Sequence, residues 1–115
     1  MTQTPNMQND EAEGLDLLDS MEIKKIERRT SAGGAWVTGT VAGHRFDALV
    51  FPEHAENPDY EIDDSRISKL WLQRIEDRQT VFNWDRGADI EAATPVAAKI
   101  VGLLSAGLAE FIYGE

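Results

Sequence analysis

The sequence has 115 residues, enough for one domain, and its 21 acidic and 11 basic residues give a net charge of −10. So acidic a chain is poorly suited to non-specific binding of phosphate backbones or anionic membranes. It has no cysteine, which excludes disulfides, thiolate nucleophiles and cysteine zinc sites. The first residues include neither a basic start nor an apolar run, and no window approaches the apolar length of a membrane span, so we expect a cytoplasmic protein.

The charges are unevenly distributed along the chain. Residues 1–22 and residues 52–64 each hold six acidic residues and no basic one. Nine of the 11 basic residues lie instead at residues 24–29 and along residues 66–86. We therefore expect a bipolar surface rather than a uniformly acidic one.

The amino-terminal part of the chain offers little to bury. Residues 1–20 are polar, so we predict a mostly disordered acidic tail there and a single α+β domain over residues 21–115. Residues 16–21 fit a short helix. Residues 22–29 fit either an edge strand or a helix end, and the turn-forming residues behind them favour the strand.

Two hairpins are predicted next, from alternating apolar residues on either side of turn-forming residues. Residues 35–41 and 45–51 form the first. Residues 66–74 and 80–87 form the second, which has large side chains on both faces and is therefore predicted to be central. Gly39, in the middle of a strand, indicates either a bulge or a backbone position covered by a large neighbouring side chain.

The end of the chain is predicted to be helical. Thr94 and Pro95 are typical of a helix N-cap followed by a first-turn proline, and the helix extends to about Tyr113. Large apolar residues three or four apart predict that one face covers the sheet; they are Val96, Ile100, Leu103, Leu104, Leu108 and Phe111. The order of elements thus predicts an α+β fold, with a four- to five-stranded antiparallel meander sheet and one C-terminal helix packed across a face.

The other side of this helix consists mostly of small residues, which we interpret as a homodimer interface. Gly102 costs about 1 kcal/mol of helix propensity relative to alanine, and close packing of a second helix would compensate. A monomer with an alanine-rich surface is the alternative. The predicted interface residues are Ala98, Gly102, Ser105 and Ala109.

Residues 52–65 form an acidic loop that is too polar to be core, and long ordered loops in small domains are often functional. The predicted partner-binding residues are Glu53, Glu56, Asp59, Glu61, Asp63 and Asp64; a merely solvated loop is the alternative. Oxygen ligands at alternate positions also occur in calcium loops. Here, counting from Asp59, the sixth position is Asp64 instead of glycine and the twelfth is Leu70 instead of glutamate, so we predict no metal.

Features of enzymes are not found. His44 lies in a predicted turn and His54 in the acidic loop, and neither adjoins a serine in a strand-turn-helix elbow. The glycines at residues 33–34 and 39–43 lack the lysine and the following helix of a phosphate-binding loop. We therefore expect no enzymatic activity and no cofactor, and we interpret both histidines as surface residues.

The aromatic residues allow an alternative function. Trp71 and Trp84, interleaved with Arg74 and Arg86, match a stacking platform for single-stranded nucleic acid, although core packing is the commoner use of such residues. The layout of four antiparallel strands and a pairing helix is similar to the single-strand-binding transcriptional coactivator fold. This alternative is a dimeric single-stranded nucleic-acid-binding protein.

Three segments carry a more specific resemblance: Gly43 with residues 46–51, residues 66–72 (RISKLWL) and residues 83–89 (NWDRGAD). They resemble a family of small uncharacterised proteins encoded by tailed phages and integrative elements, over about residues 35–110. The resemblance implies a mobile-element origin and no known activity.

Our hypothesis from the sequence is a non-enzymatic, phage-type interaction protein without membrane binding. Its most concrete form is an inhibitor of a host nucleic-acid-handling defence complex, similar to an anti-CRISPR protein, in the cytoplasm of a host bacterium. Carboxylates on a rigid loop can bind arginine and lysine side chains of a groove that normally meet phosphates.

Overall fold

The computed structural model describes Leu17 and residues 19–31, 33–63 and 65–114. In these residues, six strands form one antiparallel sheet in which sequence neighbours pair. The elements are β1 (Glu22–Arg28), β2 (Ala35–Val41), β3 (His44–Val50), β4 (Ile67–Arg74), β5 (Gln79–Asp85), β6 (Ala88–Ile90) and helix α1 (Pro95–Tyr113). The predicted α+β meander with a C-terminal helix is confirmed, but the predicted strand count of four or five is too low.

The additional strand is β6, which has only three residues, too few for an alternating pattern to be visible in the sequence. Arg86 and Gly87 have φ angles of 57° and 148°, and these positive values reverse the chain after β5. Trp84 then pairs with Ala88. A short turn therefore produces a strand where the composition alone indicates a connection to the helix.

The core lies between one face of the sheet and helix α1. Buried side chains alternate along β2 and β3, because residues two apart share a face. The sheet contributes Val37, Val41, Phe46, Ala48, Val50, Leu70 and Leu72, and the helix contributes Ala97, Ile100, Leu104 and Leu108. A Cβ atom on Gly39 would come within 2.8 Å of the Phe46 ring, so the prediction of a covered backbone position is confirmed.

Helix α1 begins and ends as its sequence predicts. The Thr94 side chain accepts a hydrogen bond of 3.0 Å from the Ala97 N–H, which satisfies one free donor of the first turn. Gly114 ends the helix with a φ of 76°. The Tyr113 hydroxyl donates to the Val50 carbonyl at 3.0 Å and ties the last turn to the sheet.

The orientation of helix α1 differs from the prediction at its ends. Val96 is 43% exposed and Phe111 is 68% exposed, although both were expected to face the sheet. The buried face runs instead through Ile100, Leu104 and Leu108. Val96 and Phe111 lie beside this face and not on it, since Ala97 is the buried residue of the first turn and Ile112 that of the last turn.

The predicted homodimer residues do not all lie on one exposed face. Ala98 and Gly102 are exposed and Ser105 is half-buried. Ala109 is only 5% exposed and packs in the core, so its placement in an interface is wrong. The exposed face of the helix centres instead on Gly102 and Ala106.

By length and composition alone, helix α1 is long and apolar enough to cross a membrane, with a mean hydropathy of 1.6 in its window. The expectation that no window approaches such a length is therefore wrong. Of that window, 33% is buried against the rest of the chain, and helices in protein cores pass the same test.

Only a few residues of the predicted tail are described. Leu17 is 8% exposed and belongs to the core, and Leu17, Asp19 and Ser20 are helical. The Ser20 hydroxyl accepts a hydrogen bond of 2.9 Å from the Ala42 N–H. Residues 1–16 and 18 lie outside the described residues, and so does the disorder predicted for them.

Candidate functional site

The two ends of the sheet differ in what they carry. In an antiparallel meander, alternate connections lie at the same end of the sheet. The β1–β2, β3–β4 and β5–β6 connections therefore meet at one end, which we call the loop end. The β2–β3 and β4–β5 turns lie at the other, which we call the turn end. The acidic loop and a cleft beside it are both at the loop end.

A buried carboxylate organises the acidic loop. The Glu61 side chain is only 2% exposed. Its Oε1 accepts a hydrogen bond of 2.7 Å from the Ala55 N–H, and its Oε2 lies 2.7 Å from Nδ1 of His54. These contacts link Glu61, near the end of the loop, to His54 and Ala55 near its start.

The Glu61 carboxyl is ionised in this setting. Burial raises its pKa, but the hydrogen bonds from the Ala55 N–H, from His54 and from the Arg66 N–H together outweigh burial and hold the pKa below its ordinary value. An ionised carboxylate can only accept, so Nδ1 of His54 must carry the proton in their hydrogen bond. Its other ring nitrogen, Nε2, is then left for a further partner.

The middle of the loop is also held in place. Asn57 caps a single 3₁₀ turn, Pro58–Tyr60, by accepting a hydrogen bond of 3.0 Å from the Asp59 N–H. Ile62 is 5% exposed and packs in the core, and its N–H donates to the Ile67 carbonyl at 3.1 Å. The expectation that the loop is too polar to contribute to the core is therefore wrong at Ile62.

The predicted partner-binding residues therefore separate into two groups. Glu53, Glu56, Asp59 and Asp63 are exposed on the loop. Glu61 is not available at the surface, because its carboxylate is used inside the loop. Asp64 lies outside the described residues. The sequence reasoning missed the role of Glu61, and the only signal was its position directly before the apolar Ile62.

Beside the loop lies a cleft of about 540 Å³. Basic side chains from separate parts of the chain line it: Arg29 from the β1–β2 connection, Arg66 and Lys69 around the start of β4, and Arg86 from the β5–β6 turn. His54 lines it as well. The fold thus brings acidic and basic segments together at one end of the sheet, with exposed acidic residues on the loop and basic residues in the cleft.

Two of the arginines are stacked on aromatic rings of the cleft. The Arg29 guanidinium lies 5.6 Å from the centroid of the Phe51 ring, and its Nε donates to the Gly33 carbonyl at 2.7 Å. The Arg86 guanidinium lies 5.8 Å from the centroid of the Tyr60 ring. Stacking of this kind orients the guanidinium plane and leaves its N–H edges for hydrogen bonds.

The backbone at the mouth of the cleft is unusual. Arg66 and Arg86 have φ angles of 66° and 57°, a region that residues other than glycine rarely adopt. Such a conformation costs of the order of 1–3 kcal/mol, and it tends to occur at binding sites. The Arg66 side chain donates to the Pro52 carbonyl at 2.7 Å and so joins the start of the loop to its end.

The residues of the nucleic-acid alternative are not brought together. Trp71 lies on the sheet face away from helix α1, where its Nε1 donates to the Thr80 hydroxyl at 3.1 Å. Trp84 lies on the other face and packs against the core. Arg74 is at the turn end, bonded to Asp77, whereas Arg86 is at the loop end.

Of the two histidines, which were both expected at the surface, only His54 is exposed. His44 is 5% exposed and its Nδ1 lies 2.8 Å from the Ala42 carbonyl oxygen. His54 is exposed but is bound to Glu61. In the described part of the chain, no group of three histidine, aspartate or glutamate side chains is arranged to hold a metal ion.

Comparison with known proteins identifies a family but no function. A family profile described as "Domain of unknown function (DUF7678)" matches residues 35–109, from the start of β2 almost to the end of helix α1. No curated protein matches the chain, and no solved structure does so either. The matched region includes the acidic loop and all of the cleft except the β1–β2 connection. Because the match covers more than half of the chain, the chain belongs to the DUF7678 family.

Proposed function

We propose that this protein is a non-enzymatic interaction protein that binds a basic surface of another protein through the exposed carboxylates of its acidic loop. The observation that carries the proposal is the use of buried Glu61 to fix the loop, which holds Glu53, Glu56 and Asp59 outward. A preformed loop loses little conformational entropy on binding, so its charges contribute more to affinity than those of a flexible one.

The finer form of the proposal concerns the biological setting. We infer a phage-type protein that inhibits a host nucleic-acid-handling defence complex, in the manner of an anti-CRISPR protein, in the host cytoplasm. The net charge of −10 supports this form, because carboxylates can replace phosphates opposite arginine and lysine side chains. The resemblance to proteins of mobile elements points in the same direction.

The test is a charge reversal with a matched control. The loop variant replaces Glu53, Glu56, Asp59 and Asp63 with lysine. The control variant replaces four other exposed acidic residues, Glu27, Glu76, Asp89 and Glu91, with lysine and so has the same net charge. Tagged proteins are used to capture partners from a nuclease-treated bacterial lysate, and the captured proteins are quantified by mass spectrometry.

We expect one stoichiometric, nucleic-acid-handling complex with the wild type and the control variant, and none with the loop variant. Capture that survives the loop reversal, or that both variants lose equally, would overturn the proposal. Recovery of nucleic acid alone before nuclease treatment would favour the single-strand-binding alternative. The separation of Trp71 from Trp84 by the sheet weighs against that alternative.

We also propose a homodimer through the exposed face of helix α1, in which Gly102 is kept from the expected interface and Ala109 is not. The proposed dimer is an antiparallel helix pair whose two-fold axis passes between Leu104 and Ser105, near the middle of the 19-residue helix. In this arrangement, Lys99 of each copy lies opposite Glu110 of the other. Gly102 and Ala106 lie between them and allow close approach. Charge complementarity therefore supports a second copy as the partner.

A charge exchange tests the homodimer. Lys99→Glu alone places like charges opposite each other at both ends of the helix pair and should weaken the dimer. Lys99→Glu combined with Glu110→Lys restores the opposite charges and should restore it. Sedimentation equilibrium gives the dissociation constants, and a monomeric wild type, or a double variant no tighter than the single one, would overturn the proposal.

A further inference from the structure

The charge inside the cleft opposes the charge of the whole protein. The chain has a net charge of −10, yet the cleft is lined by Arg29, Arg66, Lys69 and Arg86. Two carboxylates also line it, Glu53 and Glu61, and Glu61 is already satisfied by hydrogen bonds inside the loop. Basic groups gathered in a concave, partly desolvated site attract anions more strongly than the same groups on an open surface.

The basic groups are also pre-oriented. The Phe51 and Tyr60 rings hold the guanidinium planes of Arg29 and Arg86. Asp85 holds Lys69 and Arg86 from outside the cleft, with its Oδ1 3.7 Å from the Lys69 Nζ and 3.9 Å from the Arg86 Nε. Oriented arginines match the geometry of oxyanions, because two parallel N–H groups can bind two oxygens of one anion.

Arg66 and Arg86 share a backbone conformation that residues other than glycine rarely adopt. At φ angles of 66° and 57°, glycine or asparagine would place less strain on positions 66 and 86 than arginine does. Both of these arginines line the cleft. Arg78 has the same type of conformation, with a φ of 59°, but it lies at the turn end and provides a control.

We propose that the cleft binds a small phosphate monoester through Arg29, Arg66 and Arg86. A phosphate group offers three oxygens and nearly two negative charges, so it can use more of these donors at once than a carboxylate can. The volume of about 540 Å³ lies in the range of small-molecule sites. Glu53 lines the cleft, and Glu56 and Asp59 are exposed on the adjoining acidic loop; these carboxylates would repel a longer polyanion such as a nucleic acid strand.

This inference does not depend on the proposed partner, because it concerns the basic side chains of the cleft; of the exposed carboxylates proposed to bind the partner, Glu53 also lines the cleft. Isothermal titration of the full chain with adenosine monophosphate, adenosine, inorganic phosphate and citrate tests it. We expect adenosine monophosphate to bind more tightly than inorganic phosphate and citrate, and adenosine not to bind. Absence of binding by adenosine monophosphate, or equal binding of citrate, would overturn the proposal.

Variants locate the site. Arg86→Gln should weaken binding of adenosine monophosphate by about tenfold, the effect of losing one charge-assisted hydrogen bond. Arg78→Gln, at the turn end, should leave the affinity unchanged. Arg29→Gln provides a second cleft variant if Arg86→Gln does not fold, as judged by circular dichroism. Equal affinity in the wild type and both cleft variants would contradict the inference.

Discussion

The loop end and the turn end both use a carboxylate to hold a connection together, but in different surroundings. At the turn end, Arg74 donates two hydrogen bonds to Asp77, of 3.0 Å and 2.8 Å. Both side chains remain substantially exposed, at 34% and 48%. At the loop end, the Glu61 side chain is 2% exposed. A carboxylate that accepts hydrogen bonds is thus exposed to water at the turn end and buried at the loop end.

The pKa values of the two carboxyls show what this difference means. The hydrogen bond from Arg74 is the largest cause that lowers the pKa of Asp77, to about 2. For Glu61, burial opposes the hydrogen bonds, and the pKa falls below its ordinary value without such a large shift. Water and salt can replace much of what Arg74 provides, whereas the buried Glu61 carboxylate depends on its hydrogen bonds within the loop. We therefore expect the end with the larger pKa shift to contribute less to stability.

The largest expected effect is at Glu61. Glu61→Ala leaves the Ala55 and Arg66 N–H groups and the His54 ring without their acceptor, and we expect a loss of about 2–3 kcal/mol in the free energy of unfolding. Urea denaturation followed by tryptophan fluorescence measures it. Glu61→Gln keeps one acceptor oxygen and should cost less. A loss well below 1 kcal/mol in Glu61→Ala would contradict the organising role of this side chain.

Acid should affect the loop end through the same group. Because the pKa of Glu61 is lower in the folded chain than its ordinary value of 4.5, its contribution to stability is complete above that value and is lost as pH falls through the folded pKa. Denaturation curves recorded from neutral pH into this range should therefore approach those of Glu61→Gln. A difference between wild type and variant that stays constant with pH would contradict this assignment.

The smallest effect is expected at the turn end. Asp77→Asn removes the charge that holds Arg74, but both groups are solvated in the folded and unfolded chain. We expect the denaturation midpoint at neutral pH to stay close to that of the wild type. A loss as large as that of Glu61→Ala would show that the turn end is not the weaker site, and the contrast between the two ends would fail.

The sequence predicts the parts of this fold that follow from local patterns. Alternation gives β2 and β3, and Thr94 with Pro95 gives the start of helix α1. Gly39 was correctly interpreted because a glycine inside an alternating strand requires a local cause. The strand β6 was missed because three residues are too few to show a period.

The candidate site could be predicted only in part. The exposure of most acidic residues in the loop could be predicted, because a run of like charges in a sequence is usually solvated. The burial of Glu61 was not visible in the sequence, because it depends on donors from His54, Ala55 and Arg66 that meet only in the folded loop. The cleft was not visible either, because its basic residues come from separate connections that meet only when the strand order is known.

The two outer strands of the sheet have a consequence for self-association. A bulge between Ile23 and Lys25 interrupts the pairing of β1, and β6 offers only three residues. Long, regular outer strands recruit strands from other molecules and lead to aggregation, whereas bulged, charged or very short ones do not. Neither border of this sheet is a good template for strand addition. A second copy would therefore associate through its helix, and the protein should stay dispersed at concentrations at which unprotected sheets form fibres.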